Sequence, residues 1–363
     1  MSIIRPKMPE LDSLRGVAIL LVVFYHGFFW SNNLAGLTGI VRLFVNLTRF
    51  GWLGVNLFFV LSGFLITGIL FDSRNKDHYY GSFYTRRALR ILPAFYAALL
   101  LLALTPGQSR GYLLLSFFYL SNLAPLFGIS MTYTMLWSLA VEEHFYLAWP
   151  FVVRNLSSRW LMRYAVAIAI LVPCLRALAF RPVPSEGFSY YTWLVADGLA
   201  FGAILALYVR RPKCSRRELQ KFSTAALGLT AFLALLGSPF GIFTRTRFLG
   251  ATLMLTAAHL FFMAILGFAL LLGTSQWSFL VDRPLLKFFG GISYGLYLIH
   301  WMVFEWWDGI TKFVSPSLSH PVGHVGFLTI RFLGAGCAAT GLAFLSRRYF
   351  EEPFLRLKRR FGP

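Results

Sequence analysis

Residues 11–26 read LDSLRGVAILLVVFYH, an apolar run that opens with Asp12 and Arg15 and closes on His26. With its flanks, 12–31, it is about 20 residues long, the length of a helix that crosses a bilayer. Arg15 and His26 stand eleven positions apart. That is about three helical turns, so they share a face at a separation of roughly 16 Å. Arg15 alone reads as a helix-end anchor, with Asp12 three residues earlier, close enough to pair with it. His26 lies deeper. An ionisable group inside a membrane helix is costly, and a neutral imidazole can take a proton near physiological pH. His26 is therefore a candidate general base. The run ends in Gly27–Trp30 without a small-residue cleavage site, so it reads as a retained helix and not as a signal peptide.

The rest of the chain agrees. It has 363 residues, 34 Lys+Arg against 14 Asp+Glu, a net charge of +20, 57% hydrophobic and 13% charged residues. Its mean hydropathy is +0.65. Soluble domains run at about 25% charged, which excludes an ordinary soluble enzyme, a disordered chain and a disulfide scaffold. The basic residues fall in short runs between apolar stretches, the arrangement of a multi-span membrane protein, so no nucleic-acid partner is expected. Cys174, Cys214 and Cys337 have no metal-ligand spacing and suggest no disulfide framework.

Segments of spanning length occur near 12–31, 52–71, 86–105, 136–153, 162–180, 190–209, 220–238, 250–273, 288–308 and 324–345. An eleventh run, 111–127, is short and contains Ser116, Ser121, Asn122 and Pro125. Positive charge gathers in 72–90, 154–163 and 210–221 and in a tail with Arg347, Arg348, Arg356, Lys358, Arg359 and Arg360. All four face the cytoplasm only if 111–127 does not cross. The expected fold is therefore an all-α integral membrane protein of about ten transmembrane helices plus one re-entrant segment, with both termini cytoplasmic. No internal repeat is visible, and 1–363 reads as a single membrane domain. The segments 32–50, 181–189, 238–249 and 309–323 read as outer loops.

Other costly polar groups follow. Arg87 and Arg90, with Arg86 beside them, form a cationic cluster at the cytoplasmic end of the third span. Such a cluster can hold phosphate bidentately or anchor anionic lipid. Glu142 and Glu143 are adjacent carboxylates in the fourth span. Ser138, Glu142 and Tyr146 share a face, and Glu143 points about 100° away. Asp197, in the sixth span, is expected to pair with a basic group across helices. Ser293, Tyr297 and His300 occupy one face of the ninth span, where hydrogen-bonded packing is the plain reading. Ser62 and Gly63 read as small packing residues, and Asn56 as packing or cavity lining.

These residues carry a resemblance. The stretch from Leu11 to His26 is similar to the opening motif of the acyltransferase 3 family of integral membrane acyltransferases, a basic residue and a His separated by ten. Gly54–Val55–Asn56 through Leu61–Ser62–Gly63–Phe64 resembles its second-helix signature. Arg87–Ala88–Leu89–Arg90 matches its R-x-x-R element. Trp137–Ser138–Leu139 to Glu142–Glu143 looks like a fourth block. Ser293–Tyr294–Gly295–Leu296–Tyr297–Leu298–Ile299–His300 and Glu351–Glu352–Pro353 look like the C-terminal ones.

The resemblance implies ten spans and transfer of an acyl group, usually acetyl, from cytoplasmic acyl-CoA to a hydroxyl of a carbohydrate-containing acceptor. Across the family such acceptors include cell-surface polysaccharides, peptidoglycan and glycosylated metabolites. It also implies a bacterial inner-membrane location. Some members carry an appended extracytoplasmic hydrolase-like domain, and none is expected in 1–363. Read onto this chain, His26 is the base, and Glu142 or Glu143 orients its imidazole as a triad carboxylate does. Arg15, Arg86, Arg87 and Arg90 hold the CoA phosphates. The thioester is already activated, so no metal is expected. The rival reading is a multi-span transporter or flippase without acyl transfer, which would show inverted repeats.

Overall fold

The structure, a computed structural model of the chain, describes residues 3–30, 37, 39–181, 186–314 and 324–357. The predicted tail charges Lys358, Arg359 and Arg360, and parts of the loops 32–50, 181–189 and 309–323, lie outside them. Among the described residues the regular structure is entirely helical. That follows from the apolar sequence, because a helix satisfies its own backbone groups where water is absent.

In chain order the helices are α1 (Pro9–Phe24), α2 (Gly39–Thr48), α3 (Leu53–Ser73), α4 (Tyr79–Ala103), α5 (Arg110–Phe117), α6 (Leu136–Asn155) and α7 (Ser158–Ala179). They continue with α8 (Thr192–Val195), α9 (Asp197–Val209), α10 (Arg216–Gly237), α11 (Phe248–Gly273), α12 (Pro284–Val314), α13 (His324–Leu345) and α14 (Glu352–Leu357). α1 begins on Pro9 with Glu10 and Asp12 in its first turn, so a fixed φ and two negative charges favour its N-terminus. Its end widens into a π-helical segment, Tyr25–Trp30. A second π segment, Ser346–Glu351, joins α13 to α14.

All ten predicted spanning segments fall on helices. Among the described residues six helical stretches are long and apolar enough to cross a membrane: Pro9–Trp30, Gly39–Ser73, Ser158–Ala179, Arg216–Phe240, Phe248–Gly273 and Gly326–Leu357. α4, α6 and α12 are also long, but each carries several ionisable residues, and α9 has only 13 residues. The run 111–127 becomes α5 followed by a 3-10 turn, Ser121–Phe127, neither of spanning length. The 32–50 loop reading needs one correction. It contains α2, ten residues with Ile40, Leu43 and Leu47 exposed and Val45 and Thr48 buried. Its own ten residues reach only about 15 Å, and it runs on through the 3-10 turn Arg49–Trp52 into α3, which makes the continuous helical stretch Gly39–Ser73.

The chain divides into two compact units. The first is Met1–Leu14, Asn56–Phe83 and Pro106–Pro284; the second is Arg15–Val55, Tyr84–Thr105 and Leu285–Pro363. In the first unit, α3 and α9 meet through glycines. A Cβ on Gly63 would lie 2.0 Å from the Leu199 carbonyl oxygen, and one on Gly202 would lie 2.1 Å from that of Val60. The packing role expected of Gly63 is thus a backbone approach that only hydrogen at Cα permits.

A buried ionic network lies beside this contact. Arg176 of α7 pairs through both terminal nitrogens with Asp197 of α9, at 3.2 and 2.9 Å. It also donates to the carbonyls of Leu194 (2.7 Å) and Thr252 (2.9 Å) and to the hydroxyl of Thr256. His259 of α11 lies 3.3 Å from Asp197 and 2.8 Å from Asn56 of α3. Asp197 therefore has the cross-helix partner the sequence suggested, and Asn56 is buried within the network.

In the second unit, Gly16 brings α1 against α12, where an added Cβ would lie 2.0 Å from the Leu286 carbonyl oxygen. Arg176→Met leaves Asp197 buried beside one partner fewer. It should destabilise the full chain in detergent by about 3–5 kcal/mol, and Arg176→Met with Asp197→Leu should recover most of that loss in the same denaturant titration.

Candidate active site

His26 is the second residue of the π segment that ends the first helix, and it is 4% exposed. π segments inside α-helices recur at functional sites because the extra residue re-aims a side chain. The close approach of α1 and α12 at Gly16 continues to His300, whose ring centroid lies 5.0 Å from that of His26. His300 Nδ1 sits 3.0 Å from the Leu296 carbonyl oxygen and 2.9 Å from that of Tyr297. Carbonyls only accept, so this nitrogen carries the proton and His300 Nε2 presents a lone pair. That lone pair faces His26 Nδ1 at 3.1 Å, and His26 Nδ1 is also 2.9 Å from the Val22 carbonyl oxygen. Both neighbours of His26 Nδ1 are acceptors, so Nδ1 is the protonated nitrogen. His26 Nε2 is left with the lone pair, the arrangement of a general base whose tautomer is fixed from behind.

The π segment has its own brace. Arg331 of α13, 1% exposed, donates to the Gly27 carbonyl at 2.6 Å. Its other nitrogens grip Asp308 of α12 at 2.6 and 2.9 Å. Phe332 packs against Gly27, where an added Cβ would fall 2.5 Å from its ring. The backbone that carries His26 is thus pinned at the residue that follows it.

The predicted cations fall in the same compact unit as His26. Arg15 follows Leu14 on α1, and Arg86, Arg87 and Arg90 line the early turns of α4; all four are partly buried. Tyr294 of α12 donates to the Ile91 carbonyl at 3.1 Å, tying the helix of this cluster to the helix of His300. A cavity of about 190 Å³ runs along that seam, lined by Ala94, Ala97, Ala98, Gly295 and Ile299 among others. Near its rim Glu351 is buried, 3.4 Å from the Ser346 hydroxyl and within electrostatic reach of Arg347 and Arg90.

Glu142 and Glu143 belong to the first unit. Glu142 accepts from Tyr146 at 2.5 Å, the i, i+4 face that the sequence indicated, and from Ser62 at 3.1 Å. Ser62 is therefore a hydrogen-bond donor to a carboxylate and more than a packing residue. Ser293 donates to the Gly290 carbonyl at 2.9 Å, the packing role expected of it.

A family model described as an acyltransferase domain matches residues 8–348. The chain belongs to the acyltransferase 3 family. Peptidoglycan O-acetyltransferase OatA of Listeria monocytogenes is 27% identical over 380 residues, covering 96% of this chain and 56% of that protein. "Putative peptidoglycan O-acetyltransferase YrhL" of Bacillus subtilis is 28% identical over 379 residues, covering 94% of this chain and 57% of the relative. A Staphylococcus aureus protein bearing the name "Putative O-acetyltransferase" is 28% identical, with 96% and 57% covered. The chain thus spans little more than half the length of these relatives. No solved structure matches it.

In this acyltransferase 3 chain the sequence marked His26 as a base and His300 as a packing residue, without joining them. It missed Arg331, Asp308 and Arg176. The signal was present: an arginine in the apolar run Leu328–Thr329–Ile330–Arg331–Phe332–Leu333 must have a buried partner. The tautomer assignment is directly measurable. Nitrogen-15 NMR of histidine-labelled protein should include, among the signals of its seven histidines, two Nδ1-protonated imidazoles, one lost in His26→Asn and the other in His300→Asn.

Proposed function

We propose that the chain is a multi-pass membrane O-acetyltransferase that moves an acetyl group from acetyl-CoA to a hydroxyl of a carbohydrate acceptor, with peptidoglycan sugars the first candidates. The observation that carries this reading is the buried His26, its Nδ1 engaged by His300 and Val22 and its Nε2 left as an acceptor, inside a chain that matches the acyltransferase domain over residues 8–348. The names of the relatives support acetyl as the group and peptidoglycan as the acceptor.

In this reading ten helices span a bacterial inner membrane: α1 with its π extension, α3, α4, α6, α7, the α8–α9 pair, α10, α11, α12 and α13. α5 and the turn after it form the re-entrant element, and both termini face the cytoplasm. Arg86, Arg87, Arg90 and Arg15 take the phosphates of acetyl-CoA from that side, as guanidinium groups suit phosphate oxygens. The narrow cavity on the α4–α12 seam starts about one turn beyond Arg90 and gives the pantetheine arm a passage.

The chemistry then balances without an external reagent. The acceptor O–H gives its proton to His26 Nε2 as its oxygen attacks the thioester carbonyl. The C–S bond of the tetrahedral intermediate breaks, and the CoA sulfur takes the proton back from His26. The products are an acetyl ester and free CoA. In this reading Glu142 or Glu143 is the carboxylate that supports the charged imidazole, and Glu142→Gln beside Glu143→Gln tells which of the two does so.

The test follows labelled acetyl from acetyl-CoA into solubilised peptidoglycan fragments, with the full chain in nanodiscs. His26→Asn should lower transfer by about 10²–10⁴-fold while acetyl-CoA still binds. Arg87→Ala with Arg90→Ala should raise the KM for acetyl-CoA. Acetyl-CoA binding left unchanged by that pair would remove the phosphate assignment, and no acetyl-CoA dependence at all would return the chain to the transporter reading.

A further inference from the structure

Next to His26 the second unit carries a group of side chains that the mechanism has not used. The Trp301 ring stands edge-to-face on His26 with centroids 4.9 Å apart. Trp30 lies 6.2 Å from Trp301 with the ring planes at 66°, and it is 54% exposed. Tyr25 sits 5.8 Å from Trp30 and 4.9 Å from His26. Trp301 Nε1–H donates to Glu305 Oε1 at 2.7 Å, one turn along α12. That bond fixes an exposed carboxylate and leaves its second oxygen open to a ligand. Arg331 is committed to Asp308, three residues beyond Glu305.

We propose that Trp30, Trp301 and Glu305 are the acceptor seat: a pyranose ring lies against the indole faces, its hydroxyls bond to Glu305, and one hydroxyl is thereby offered to His26 Nε2. This inference rests on the acyl-transfer reading and names the contacts of its acceptor. Two aromatic planes set at an angle offer apolar contact to the C–H face of a sugar, and their rigidity makes that contact cheap in conformational entropy. A carboxylate accepts from two hydroxyls at once and donates to none. The same carboxylate repels the phosphates of CoA, so this group suits an uncharged polyhydroxylated ligand and not the donor. Two tryptophans serving only as an interfacial belt would need no carboxylate oriented by one of them.

The experiment uses the full chain in nanodiscs with acetyl-CoA and solubilised peptidoglycan fragments, varying each substrate in turn. Trp30→Ala and Glu305→Gln should each raise the KM for the fragments about tenfold and leave the KM for acetyl-CoA within about twofold. Trp30→Phe should recover part of the loss. Acetyl-CoA binding measured on each variant separates a misfolded protein from a weakened acceptor site. An unchanged fragment KM in both folded variants overturns the seat, as does a fall in kcat with no change in KM, which would make these residues supports for His26 alone. Wild type that transfers nothing to the fragments overturns the acyl-transfer reading on this acceptor instead.

Discussion

A guanidinium taken out of water must find a partner for every donor it carries, because the low-dielectric interior offers nothing else to stabilise the charge. Among the described residues Arg176 and Arg331 are the two largest fully buried side chains, and each is held by partners from separate helices. Arg176 gathers α7, α9 and α11 around Asp197. Arg331 gathers α12, α13 and the π segment after α1 around Asp308 and the Gly27 carbonyl. In lipid there is little hydrophobic gain in bringing one apolar helix to another. Directional contacts of this kind, together with glycine-mediated backbone approach, decide which helices are neighbours.

The same constraint explains where the candidate base sits. A π segment leaves the hydrogen-bond ladder out of step by one residue, so a carbonyl must find a donor elsewhere. At Gly27 the donor is Arg331. The extra residue turns His26 toward α12, and the Gly16–Leu286 approach has already brought α12 near. The candidate base is therefore held by two regular elements and a partly buried ion pair. That is the kind of support a catalytic group needs, since misplacement by about 1 Å can cost a hundredfold in rate.

Much of this was legible in the sequence, for identifiable reasons. Helices were readable because apolar length is a local property, and the face shared by Ser138, Glu142 and Tyr146 because i, i+4 geometry is local too. Arg15, His26 and the Arg87–Arg90 pair were readable because an ionisable residue stands out in an apolar context. The partnership of His26 with His300 was not, since 274 residues separate them and nothing local encodes the pairing. The two π segments were equally silent, because a one-residue change of helical phase leaves no mark on hydropathy. α2 was missed for its length. Arg331 carried a local signal, but its meaning depended on Asp308 and on a carbonyl orphaned by a distortion that the sequence did not announce.

For the proposed reaction the histidine pair also answers a question that a lone base leaves open, namely what would stabilise the imidazolium once His26 took the proton. Before transfer, the hydrogen bond from His26 Nδ1–H to His300 Nε2 joins two neutral rings and contributes modestly. After transfer its donor is charged, and charge-assisted hydrogen bonds are roughly twice as strong. The Val22 carbonyl, aligned on the same nitrogen, gains in the same way. Neither partner has to move, because His300 is itself held by two carbonyls of its own helix. Stabilisation that grows only as the proton arrives favours the transition state over the ground state, and only such differential stabilisation accelerates a chemical step. In a triad a carboxylate supplies this with a full negative charge. On His26 Nδ1 a neutral ring and a backbone dipole hold that place, and neither adds a buried charge that requires compensation in the resting site.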